Sequence, residues 1–130
     1  MVQHLHTSDA PAPFSNYSQA TAVSSDASFV FVSGQVGVSA DGVLADSEAG
    51  QHDQCWRNIL AILAASGLGP DDILEVTGYV TSQDGVPLFR ESRDRMLDGA
   101  KPASTLLIIS GLADPAWRVE ISVVAAGKIS

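Results

Sequence analysis

Apolar residues recur along this chain with two spacings, and the switch between them predicts its elements. Phe29-Val30-Phe31-Val32-Ser33 is rich in aromatic and β-branched residues and predicts a strand. Tyr17 to Ala22 stands before it as a candidate first strand. Residues 1–16 hold Ser8, Asp9, Pro11, Pro13 and Asn16 and predict an irregular arm. After the strong strand, Gly34 and Gly37 relax the backbone, and Asp41-Gly42 signals a hairpin turn. Over residues 48–66 the spacing becomes helical. Trp56, Ile59, Leu60 and Leu63 share one face, flanked by Cys55 and Ile62, and Gly67, Gly69 and Pro70 supply the stop. Ile73 to Thr81 alternates as a strand, with Val76, Gly78 and Val80 on one face and Thr77, Tyr79 and Thr81 on the other.

Pro87 to Leu97 predicts a second helix with Leu88, Phe89, Ser92 and Met96 towards its inner side. Arg90/Asp94 and Glu91/Arg95 are spaced as i,i+4 pairs on its outer side. Thr105–Ile109 and Val119–Ala125 are the last two strands. The order β-β-α-β-α-β-β predicts an α+β fold, a mixed sheet with two helices, in one domain spanning residues 1–130. Phe29 to Val32, Leu106 to Ile109 and Val123-Val124 are apolar on both faces. Two helices cover only one face of a sheet. The other face is expected to be covered by another copy of the chain.

Composition agrees. A chain of 130 residues that is 45% hydrophobic can build a real core, and 17% charged residues is low for an isolated small domain. The net charge of −8 argues against a nucleic-acid backbone as partner, because lysine and arginine dominate that binding. Cys55 is the single cysteine, so no internal disulfide is expected. The first residues do not follow a secretory pattern and no apolar run approaches membrane-spanning length, so a soluble cytoplasmic protein without membrane partners is expected.

The candidate chemistry starts with Glu120, set between Val119 and Ile121. A carboxylate in a strand of β-branched residues is costly unless it is paired, hydrogen-bonded or near water. Alternation puts Arg118, Glu120 and Ser122 on one face and Val119, Ile121 and Val123 on the other. Glu120 is either a carboxylate in an interface cleft that acts on water or nitrogen, or an edge charge that discourages aggregation. His4, His6 and His52 lack metal-ligand spacing, so no metal and no cofactor are expected. Cys55 lies on the apolar side of its helix and reads as a small core residue.

Asn16-Tyr17-Ser18-Gln19-Ala20, Ser33-Gly34-Gln35, Asn58-Ile59-Leu60, Pro102-Ala103 and Val119-Glu120-Ile121 occur in an order that resembles the reactive-intermediate deaminase (RidA, or YjgF-like) family. The resemblance covers about Asn16 to Ala125. It implies a chorismate mutase-like subunit in a homotrimer with three clefts between subunits. It implies hydrolysis of a reactive imine or enamine, with Glu120 working on water and Tyr17 shaping the pocket as the catalytic pair. Ser33 and Gly34 would hold the ligand through backbone N–H groups. Phe89, in the second-helix stretch, belongs with the implied substrate-binding residues, although the Asn of that family motif is missing. Ser104 stands where the family has a carboxylate-binding arginine, whose forked contact a serine cannot reproduce. A simple 2-imino acid is therefore expected to be a poor substrate. Arg118, sharing a face with Glu120, is either a surrogate for that arginine or a solvent-facing strand end. The alternative function is a ligand-binding or interaction trimer without catalysis.

Overall fold

The computed structural model describes residues 1–129. Its strands are β1 (Gln3–Leu5), β2 (Ala20–Ala22), β3 (Ser28–Val36), β4 (Ile73–Val80), β5 (Ala103–Ile108) and β6 (Val119–Gly127). Its helices are α1 (Glu48–Ala64) and α2 (Gly85–Leu97). Strands β3-β6-β4-β5 form the main sheet in that order. Six elements run as expected from the pattern, within two residues for the last three: β3 around Phe29–Ser33, α1, β4 at Ile73–Val80, α2, β5 and β6.

The arm differs from expectation. Residues Gln3–Leu5 pair antiparallel with Ala20–Ala22 as a separate two-stranded sheet, so only the stretch between them is irregular. These strands are short and β1 is exposed, so no core pattern marks them. The candidate first strand shrinks to its last three residues, because Ser18 is already engaged elsewhere, in an isolated bridge to Ala103.

Helix α1 starts at Ser47, whose hydroxyl accepts from Gly50 N at 2.9 Å. It buries Cys55, Trp56, Ile59 and Leu63, while Ile62 points out. It lies over β3 and β6, and α2 lies over β4, packed against α1. Strand β6 is central, and it alternates from Val119 to Ala125: Val119, Ile121 and Val123 are buried beneath the helices. Phe89 of α2 drops into the space above Gly78, where a Cβ would lie 2.3–3.0 Å from its ring. That close approach is the reason strand β4 carries a glycine at this point.

Both helices sit on one face of the main sheet. The opposite face presents Phe31 (75% exposed), Phe29 and Leu107 to solvent in the single chain. Phe29 and Phe31 stack with ring centroids 6.3 Å apart and border a groove of about 470 Å³ with Val124 and Leu74. No helix is long and apolar enough to cross a membrane among the described residues.

His52 on α1 is fully buried, edge-on to Phe89 with centroids 6.2 Å apart, and neither ring nitrogen has a protein partner. Burial pushes its pKa down from 6.5 to about 4, and the neighbouring Asp53 carboxylate opposes this only in part. The unfolded chain therefore binds this proton at a higher pH than the fold does. Stability is lost as pH falls from about 6.5 towards 4, by up to ~3 kcal/mol for this group. Urea unfolding at pH 7 and pH 4.5 is expected to show this loss. In His52→Phe the acid loss is expected to be smaller by about 2 kcal/mol, and an unchanged loss would assign the effect to other groups.

Candidate functional site

The chain builds two groups of candidate residues on opposite sides of the sheet. The first begins with a bulge. Val32 pairs with Val123 and Gln35 with Ile121, so β3 advances three residues while β6 advances two. The extra residue falls at Ser33-Gly34. The bulge brings Gly34 under the side chain of Glu120. A Cβ at Gly34 would lie 2.6 Å from Glu120 Cδ and would overlap its carboxylate. Glycine is needed here for close approach rather than for an unusual φ, since Gly34 is not among the left-handed positions. Glu120, Ser33 and Gly34 thus form one group, with Glu120 on the face that the helices leave uncovered, as alternation predicts.

The second group lies at the β5 edge, on the helix side. Ser18 N donates to Pro102 O at 3.1 Å, and the Ser18 hydroxyl donates to Lys101 O. Gln19 ties down the arm: its side chain accepts from Thr7 N at 2.6 Å and donates to Pro11 O at 2.8 Å. These contacts hold Tyr17 against the start of β5. Its phenol oxygen accepts from Phe14 N at 3.1 Å, which leaves its own hydrogen free to donate. Tyr17, Ser104, Leu106, Phe14, Ser15, Arg90 and Arg93 line a cavity of about 190 Å³.

Arg93 is the residue that the sequence reading missed. It is only 3% exposed. Its Nη1 donates to Ser104 Oγ at 3.3 Å, its Nη2 to Ser15 Oγ at 2.9 Å and its Nε to Asp94 Oδ1 at 3.0 Å. The guanidinium carbon stands 5.9 Å from the centroid of Tyr17 and 5.6 Å from that of Phe89. A signal was present: Arg93 lies four residues from both Phe89 and Leu97, on the apolar stripe of α2. The outer i,i+4 pairs hold only in part. Arg95 Nε meets Glu91 at 3.1 Å, but Asp94 pairs with Arg93 rather than with Arg90.

Two expected site residues fall elsewhere. Phe89 is fully buried between Gly78, His52 and Arg93 and does not line the cavity; it supports Arg93. Arg118 is exposed and borders a different cavity, with Trp117 and Leu112. It precedes Val119, which stands level with Val80, whereas Ser104 stands level with Val76. That separation is five residues of strand, roughly 16 Å, so Arg118 does not reach Ser104 of its own chain. Cys55 is buried, with Sγ 3.2 Å from Gln35 O; burial pushes its thiol up to about 12, and the charge of Glu120 adds to the rise. Such a thiol is inert as a nucleophile. No group of three or more histidine, cysteine or carboxylate side chains could hold a metal ion among the described residues.

Within one chain the two groups do not meet. Glu120 stands level with Tyr79 and Leu107, three residues along the strands from Ser104, and on the other face.

A RutC family protein of Aquifex aeolicus is 33% identical, over 95% of this chain and 98% of that one. Among solved structures, a Yersinia pestis protein of unknown function from the conserved Rid protein family superimposes with a TM-score of 0.85 at 24% identity, covering 95% of this chain and 97% of that one. Escherichia coli TdcF, solved with bound serine, gives 0.73 at 25% identity, covering 97% and 99%. The family described as Endoribonuclease L-PSP matches residues 7–127, nearly the whole chain. Taken with the Tyr-Ser-Gln, Ser-Gly-Gln and Val-Glu-Ile segments, these matches establish that the chain belongs to this RidA/YjgF-like family.

Proposed function

We propose that copies of this chain associate through the uncovered sheet face, as a homotrimer, and hydrolyse a reactive imine or a related C–N compound in the clefts between them. The observation that carries this reading is the Glu120 carboxylate seated on the bulged glycine of the uncovered face. A carboxylate on the same uncovered face as the exposed phenylalanines gains a reason to exist if a second copy closes over that face. The Tyr17 cavity lies at the opposite edge strand, β5, while Ser33 and Gly34 lie on edge strand β3. Copies set side by side with their uncovered faces turned to one another would bring the β5 edge of one beside the β3 edge of the next, each cleft taking Tyr17 from one copy and Glu120 from its neighbour.

In such a cleft Glu120 takes a proton from water as the oxygen adds to the imine carbon. The nitrogen gains protons, the C–N bond breaks, and ammonia and a carbonyl compound leave. Backbone N–H groups at the Ser33-Gly34 bulge are suited to stabilise a developing oxyanion, and the Tyr17 hydroxyl is free to orient the nitrogen or oxygen. The family description names an endoribonuclease, but a net charge of −8 argues against an RNA substrate for this chain. A second reading, a ligand-binding trimer without catalysis, is favoured by Ser104 at the position of the family's arginine.

Light scattering at micromolar concentration is expected to show a trimer, and a stable monomer would end the cleft reading. Ammonia release from imines formed in situ, 2-iminobutyrate among them, separates the two readings. If turnover is found, Glu120→Gln is expected to keep the assembly and lower the rate by about a hundredfold or more. Gly34→Ala tests the same geometry from below. Its methyl displaces the free end of a flexible side chain, so stability is expected to fall by less than about 1 kcal/mol while the rate drops nearly as far as in Glu120→Gln. A Gly34→Ala protein with full turnover would show that the seating of the carboxylate is irrelevant.

A further inference from the structure

We propose that Arg93 is the anion anchor of this site: α2 supplies from above the guanidinium that β5 lacks at Ser104, and the cavity takes a small monocarboxylate. The proposal rests on the Tyr17 cavity being half of the reaction site, but its binding test does not depend on turnover.

A guanidinium has five N–H donors in a planar fork. Three of those on Arg93 are used, by Asp94, Ser15 and Ser104. One N–H on each Nη remains, the number that a forked grip on a carboxylate needs. The group is fixed before any ligand arrives, because Tyr17 and Phe89 hold it between their rings and Ser15 and Ser104 set its plane. Ser104 thus has a task of its own. An arginine at that position would compete with Arg93 for the same space and repel it, while a serine hydroxyl accepts from it.

The rest of the lining agrees. Arg90 adds a second positive charge at the rim, and the hydroxyls of Ser15, Tyr17 and Ser104 add polar groups. No carboxylate lines the cavity, in a chain with a net charge of −8. Asp94 meets Arg93 through Nε only, away from the Nη pair. Leu106 and Phe14 supply apolar walls for a short carbon chain. A volume of about 190 Å³ corresponds to about six waters, which limits the ligand to a few carbons. The ground for expecting simple 2-imino acids to be poor substrates, the loss of the arginine at position 104, is thereby removed.

The test is binding of 2-oxobutyrate, followed by amide chemical shifts in the full-length protein, with neutral 2-oxobutanamide as control. The carboxylate is expected to bind at least about tenfold more tightly than the amide, with shifts at Tyr17, Arg93 and Ser104. Arg93→Lys keeps the charge and loses the fork, and is expected to weaken binding by about tenfold. Because Arg93 is buried and its variants can misfold, Ser104→Asp gives an independent check. It places an internal carboxylate on Nη1 and is expected to abolish 2-oxobutyrate binding in a folded protein. Equal binding of acid and amide, or a folded Ser104→Asp protein that binds 2-oxobutyrate like the wild type, would overturn the proposal. Carboxylate-selective binding without ammonia release from any imine would keep Arg93 as anchor and discard the hydrolytic reading instead.

Discussion

A sheet with helices on one side only is the constraint from which the rest of this structure follows. Val119, Ile121 and Val123 of β6 turn one way and are buried under α1 and α2. Every intervening residue must turn the other way, and Glu120 is one of them. The same alternation that builds the core therefore places a carboxylate on the bare face. Phe29 and Phe31 reach that face for the same reason, from the neighbouring strand. The polar site and the apolar patch are two products of one covering problem.

The β5 edge solves a different problem. A cation that is 3% exposed requires compensation from every side. Two aromatic rings, two serine hydroxyls and one carboxylate supply it here, drawn from the arm, α2 and β5. The arm is thus part of the site's construction. Ser18 and Gln19 fasten it through contacts to residues 83 and 8–12 positions away in the chain.

The core elements were legible because burial imposes a period on them. Val76, Gly78 and Val80 alternate, and Cys55, Trp56, Ile59 and Leu63 fall on one helical face. β1 was not legible, because an exposed strand of three residues carries no such period. The Glu120 face followed from alternation alone, and the family segments pointed to Tyr17, Ser33 and Gly34. Phe89 was expected in the site but is drawn inward by Gly78, a long-range contact that nothing in its own segment announces. Arg93 was hidden by its neighbours: Arg90, Glu91, Asp94 and Arg95 make a persuasive solvated pattern around it. That Ser104 lacks the family's guanidinium could be read directly. That another guanidinium stands 3.3 Å from its hydroxyl depends on how α2 lies over the sheet, which no local pattern encodes.

The bulge in β3 also changes the parity of that strand. Before it, the even-numbered Val30 and Val32 turn towards the helices and the odd-numbered Phe29 and Phe31 turn away. After it, Gln35 stands with inward Ile121, and Val36 stands with outward Glu120. Substitutions along β3 are each local in effect. A one-residue deletion at Ser33-Gly34 is local as well: with two steps from Val32 to Gln35, as from Val123 to Ile121, both flanks keep their faces and only the bulge that seats Glu120 is lost. The extra residue between Val32 and Gln35 therefore serves the seat of the carboxylate and not the alternation of the strand, which would run unbroken without it.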